Sequence, residues 1–228
     1  MFSFTDFTAE SNLDDLQSKL DEYGVAVLPE VFNKDECDEF RNKVWSKLCQ
    51  KHDIKNIKDY MAKINPIHGG LIHSNGVSLY SEVLDLKTDE RAIEPFRRIW
   101  NEKDLTVSLD GLYIGPPAEQ TGYFFNPDRL IHSESFHTDQ ASTKKTKCCV
   151  QSFITLESIE SGDGCLSVLA NSHKYHAEFF EHFNLKVNFD WFVLSEKHLK
   201  WFIEEKKCKW NTILAPKGSM IFWDSRTM

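Results

Sequence analysis

His137 and Asp139 sit two positions apart in the stretch SFHTDQAS, residues 135–142. In an extended strand, side chains alternate between faces, so these two point one way and Thr138 the other. The pattern sets one imidazole beside one carboxylate, a common start for a metal site. A polar pair on a solvated strand reads the same way, so the rest of the chain has to separate the two readings.

The elements that must hold this pair change character along the chain. Near the start, LDDLQSKLDEYG carries leucines at helical spacing and a glycine stop at Gly24, and VAVLPEVF reads as a short buried strand. Asn33 with Glu36 three residues on forms a near capping box, followed by the apolar stripe Phe40, Val44 and Leu48. DERAIEPFRRIWN predicts another helix, disturbed at Pro95. From about residue 105 the segments LTVSLDGLYIG, KCCVQSFITLES, GCLSVLA, CKWNTILAP and GSMIFWDS are short, β-branched or aromatic, and bounded by turn residues. Two helical pieces interrupt them, HAEFFEHF and SEKHLKWFIEEKK. In the second, Ser195 caps while Leu194 and Leu199 form a hydrophobic staple. This order predicts an α+β protein whose second half is a β-barrel or jelly roll. No linker or repeat divides it. The expectation is one domain over residues 1–228, helical to about 104 and barrel from about 105.

Composition narrows the function. The 228 residues are 41% hydrophobic and 27% charged, ordinary for a globular domain. No apolar run approaches the roughly 18 residues of a membrane helix. The acidic start MFSFTDFTAESNLDD does not read as a secretory signal. A net charge of −8 argues against nucleic acid as a general partner. The six cysteines form no C-x-x-C pair, which disfavours zinc-ribbon and redox motifs; free thiols in a reducing, cytoplasmic setting fit better.

Around the His–Asp pair, DGLYIGPP, CCVQSFITLES, GDGCLSVLANSHKYH and APKGSMIFWDSRT occur in an order that resembles the phytanoyl-CoA dioxygenase-like family of iron(II)- and 2-oxoglutarate-dependent oxygenases. The resemblance is strongest from Ser135 to Met228. It implies a double-stranded β-helix, a cupin-like jelly roll with supporting N-terminal helices. It implies Fe(II) held by H-x-D and a distal histidine, with open positions for 2-oxoglutarate and O₂. His137 and Asp139 match the first two ligands. Asn171 stands where the family's G-S-H segment has glycine, and His173 matches that segment's histidine, which is not a ligand in the family. The distal histidine belongs to a W-D-S-R-T-x-H pattern and would follow Met228; the 2-oxoglutarate arginine lies further along still. Arg226 precedes that histidine and is no obvious substitute. The resemblance therefore implies a chain cut before the last strands, or a form that has lost catalysis, or a site completed by His132, His173 or His176.

The implied activity is hydroxylation of a small-molecule, acyl or side-chain substrate. A catalytically inactive oxygenase-like binding protein is the alternative. A carboxylate at Asp139 speaks against a halogenase, which needs a small residue there. Gln151 is a candidate 2-oxoglutarate contact or the polar side of a half-buried strand. Asp110 and Tyr113 line the cofactor pocket or serve as a turn residue and a core aromatic. Lys144, Lys145 and Lys147 receive an anionic substrate or form a solvated loop. Trp223 and Phe222 read as core.

Overall fold

The computed structural model describes residues 5–67, 70–115 and 136–228. In chain order, the first elements are β1 (Thr5–Phe7), α1 (Leu16–Tyr23), β2 (Val25–Leu28), α2 (Lys34–His52), α3 (Ile57–Ile64) and β3 (Leu71–Ile72). Then come α4 (Ser81–Thr88), α5 (Glu90–Trp100), β4 (Leu112–Tyr113), β5 (His137–Thr138), β6 (Val150–Ile154) and β7 (Ser167–Ala170). The last are α6 (His176–His182), β8 (Phe192–Val193), α7 (Glu196–Lys200), β9 (Lys209–Ile213) and β10 (Met220–Asp224). They divide into two compact units, Met1–Val31 with Asn126–Met228, and Phe32–Phe125.

In the second unit, α2 opens on the expected capping box. Asn33 Oδ1 accepts from the Glu36 amide at 3.0 Å, and the Glu36 carboxylate accepts from the Asn33 amide at 2.8 Å. Val44 and Leu48 enter a core with Ile54, Tyr60, Ile64, Tyr80 and Val83. Helix α5 runs through Pro95, which turns a buried face inward. LTVSLDGLYIG was expected to be a strand throughout, but only Leu112–Tyr113 pairs, because its partner β3 offers just Leu71 and Ile72.

The first unit contains the strand-rich half and also the first 31 residues of the chain. β2 is the reason: all four of its side chains are buried, and it pairs antiparallel with β10. One sheet runs β1-β9-β7, with β1 parallel to β9 and β7 antiparallel to it. A second runs β2-β10-β6, antiparallel throughout. Phe7, Val168 and Ile213 from the first share one apolar cluster with Val25, Val27, Phe153, Ile221 and Trp223 from the second. The two sheets thus bury their inner faces together. Alternation sends Leu169 and Trp210 to the opposite face, into an aromatic cluster with Phe179 and Phe180 from α6 and Trp201 and Phe202 from the π-turn Trp201–Glu205 that follows α7.

Gly24 ties the start of this unit to its end. It stops α1 in the left-handed region at φ 79°, as the sequence predicts, and its carbonyl accepts from the Asp224 amide at 3.0 Å and the Thr227 hydroxyl at 3.0 Å. A Cβ here would stand 2.5 Å from both His173 Nδ1 and Thr227 Oγ1. Gly24→Ala should therefore cost about 1–3 kcal/mol, through the backbone conformation and the crowding together. A urea midpoint equal to wild type would show that this approach is not close.

Candidate metal centre

β5 is short and pairs antiparallel with β8, His137 opposite Val193 and Thr138 opposite Phe192. Thr138 is fully buried, and its hydroxyl donates to the Ser225 carbonyl at 3.0 Å. The Asp139 amide donates to the same carbonyl at 3.1 Å. These two bonds anchor the H-x-D segment to the chain just past β10. Asp139 itself lies at the bend after β5, yet its carboxylate keeps to the His137 side, with Oδ1 3.4 Å from His137 Nε2.

The other carboxylate oxygen is held as well. Gln151 Nε2 donates to Asp139 Oδ2 at 3.1 Å. Gln151 lies directly across the β6–β10 ladder from Trp223, whose indole lies near enough to favour the charged form of the carboxylate. Burial by itself would raise the Asp139 carboxyl, but the bonds and charge from His137, Gln151 and Trp223 outweigh it and hold the group below the usual value. The result is an ionised carboxylate and an imidazole, half-buried and converging. That donor pair suits a divalent first-row cation.

Among the described residues, no group of three His, Cys, Asp or Glu side chains comes together. His132 lies outside the described residues. The other histidines considered are engaged elsewhere: His173 Nε2 donates to the Asp21 carbonyl at 3.1 Å, and His176 Nε2 to the Gln140 carbonyl at 3.0 Å. Both rings are buried, and desolvation holds their pKa below the ordinary histidine value. Asn171 takes φ 71°, which explains glycine at this place in the family motif and why asparagine can replace it.

Arg226 is turned back onto its own strand. Its Nε and Nη2 donate to the two oxygens of Asp224 at 2.9 and 2.7 Å. The lysine run is also paired: Lys144 with Asp190, Lys145 with Glu181 at 2.8 Å, and Lys147 with Asp21 at 3.5 Å. Tyr113 stands on β4 in the second unit, 60% exposed, and Asp110 accepts from Lys87 at 3.2 Å in the same unit. All six cysteines are free. Trp223 does pack against the core as expected, but sequence reasoning missed that it also stands opposite Gln151. The available signal was alternation: Ile221 and Trp223 share the inner face of β10, and Trp223 is the one opposite Gln151.

Among the described residues, no helix is long and apolar enough to cross a membrane. The "Ava biosynthesis cluster protein O" of Aspergillus versicolor is 24% identical to this chain over 237 residues, covering 98% of it and 73% of the relative. A crystal structure of the epimerase SnoN, in complex with Fe3+, alpha ketoglutarate and nogalamycin RO, superposes with a TM-score of 0.50 at 12% identity. It covers 94% of this chain and 75% of that one, a likeness of fold. The sequence profile of phytanoyl-CoA dioxygenase matches residues 20–228. A family match over nearly the whole sequence leads to one assignment: the chain belongs to the phytanoyl-CoA dioxygenase family, which depends on Fe(II) and 2-oxoglutarate.

Proposed function

We propose that this protein is an Fe(II)- and 2-oxoglutarate-dependent dioxygenase that hydroxylates a small-molecule, acyl or side-chain substrate. We further propose that its two facing sheets belong to a double-stranded β-helix, with His137 and Asp139 at one end of the shared core. The observation that carries the reading is the carboxylate of Asp139, held ionised between His137 and Gln151. His137 Nε2 and Asp139 Oδ1 would be two of the metal's protein ligands. The third would be the distal histidine of the W-D-S-R-T-x-H pattern that the sequence resembles. Bound there, Fe(II) would supply the coupled chemistry in which 2-oxoglutarate and O₂ give succinate, CO₂ and one hydroxyl on the substrate.

The chain's own residues do the positioning. Thr138 and Ser225 hold the ligand strand against β10. Gln151 occupies Oδ2 and so would leave Oδ1 to hold the metal, a second-layer contact that fixes ligand orientation.

Calorimetric titration of the natural full-length protein with Mn(II) in place of the oxidisable Fe(II) tests this. One ion per chain is expected, bound more tightly when 2-oxoglutarate is present. Gln151→Leu should weaken that binding about 10–100-fold while the fold persists. Gln151→Glu should not restore it, because a second carboxylate would repel Asp139. Wild-type affinity in both variants would remove Gln151 from the site.

A further inference from the structure

We propose that Trp191, with Phe189, forms the platform on which the substrate's flat apolar face lies beside the metal centre. The proposal rests on the metal-centre reading above and adds what the substrate must look like. Trp191 directly precedes Phe192, the ladder partner of Thr138, so it follows β5 to the place where the ligand strand ends. Its ring centroid is 5.8 Å from that of His137, tilted at 55°. It is nonetheless 38% exposed, and Phe189, two residues earlier, is 66% exposed. Large aromatics of this kind normally gain their stability by burial. These two do not.

The backbone carries the second observation. Trp191 has φ 107°, a region that residues with a Cβ rarely adopt. Strain of this kind persists where the surroundings enforce it, and here they do. Asp190 Oδ1 accepts from the Ala141 amide at 2.9 Å, and the Asp190 carboxylate pairs with Lys144. Ser142 Oγ donates to the Val187 carbonyl at 3.0 Å and accepts from the Val187 amide at 2.8 Å. The loop from Val187 to Trp191 is therefore fastened to the residues that immediately follow the ligand pair. Fastening holds an exposed indole beside a ligand imidazole in a conformation the fold alone does not favour.

The chemistry of the rim selects the substrate class. Lys144, Lys145 and Lys147 each face a carboxylate, so the positive charge of that run is largely matched. Among the described residues, the exposed indole of Trp191 is presented next to His137. A neutral planar or ring-bearing substrate gains stacking and apolar burial there, whereas a small charged metabolite gains little.

The neutral fluorophore N-phenyl-1-naphthylamine serves as the probe, titrated into the full-length protein. Saturable one-site binding is expected, weakened about tenfold or more in Trp191→Ala and kept within about threefold in Trp191→Phe. Trp191→Gly supplies the readout that a structural role would not give. Glycine adopts positive φ without strain, so its thermal midpoint should match or exceed wild type while probe binding is lost. A Gly variant that melts well below wild type would make Trp191 a fold residue, and unchanged probe binding in Trp191→Ala would end the proposal. Mn(II) titration of wild type separates the two readings. Lost metal binding with intact probe binding condemns the metal centre; intact metal binding with no Trp191-dependent probe binding condemns the platform.

Discussion

Asp139→Ala is expected to lower 2-oxoglutarate-dependent succinate formation by more than about 100-fold, with little change in the stability of the fold. Second-layer contacts to a metal ligand are themselves worth about 10–100-fold, so loss of the ligand itself should exceed them. The carboxylate is the hard, anionic member of the pair, and imidazole alone holds Fe(II) loosely. Asp139→Asn should fail nearly as badly, because it removes the charge and offers Gln151 Nε2 an amide whose own NH₂ competes for the same space. Asp139→Glu should recover part of the activity, since charge is kept and only reach changes. The stability expectation follows from exposure: the Asp139 side chain is 26% exposed, and its removal opens no closed cavity. Succinate release measured beside the thermal midpoint checks both halves. Turnover within about tenfold of wild type in Asp139→Ala would show that the carboxylate is not a ligand.

Much of this site was legible because its determinants are local. An i, i+2 pair on a strand needs only alternation, and His137 and Asp139 do converge. Caps are equally local, and Asn33, Glu36 and Gly24 act where expected. Pairing was harder. Nothing in the residues of β1 announces that it runs parallel to β9 some two hundred residues later, and β2 was legible as buried but not as the neighbour of β10. Register decided the roles of Gln151 and Trp223. Each is ambiguous in isolation, a half-buried amide and a core aromatic, and only the ladder sets them directly opposite each other where Gln151 reaches the carboxylate. The lysine run shows the reverse case. A basic stretch suggests an anion site, yet its acidic partners Asp21, Glu181 and Asp190 lie far away in sequence, so the pairing was invisible.

Arg226→Met should destabilise the strand-rich unit by about 3–5 kcal/mol, the usual consequence of leaving a buried charge without its partner. Asp224 is the last residue of β10, between β2 and β6, with its side chain only 2% exposed; Arg226 is 18% exposed. The guanidinium supplies a bidentate pair of charge-assisted bonds at 2.9 and 2.7 Å. Once it is gone, the carboxylate keeps, among the described residues, the Arg226 backbone amide at 2.9 Å. Asp224→Asn in the same chain should return most of the loss, because the buried charge goes with its partner and a neutral amide costs far less to bury. Urea unfolding with an unchanged slope would attribute the midpoint shift to stability rather than to a change in compactness. The experiment also decides the role of this arginine. As the counter-ion of Asp224, it should leave 2-oxoglutarate affinity near wild type under conditions where the variant stays folded. A variant of normal stability that has lost affinity for 2-oxoglutarate would instead make Arg226 the residue that grips the co-substrate, with Asp224 holding it in place.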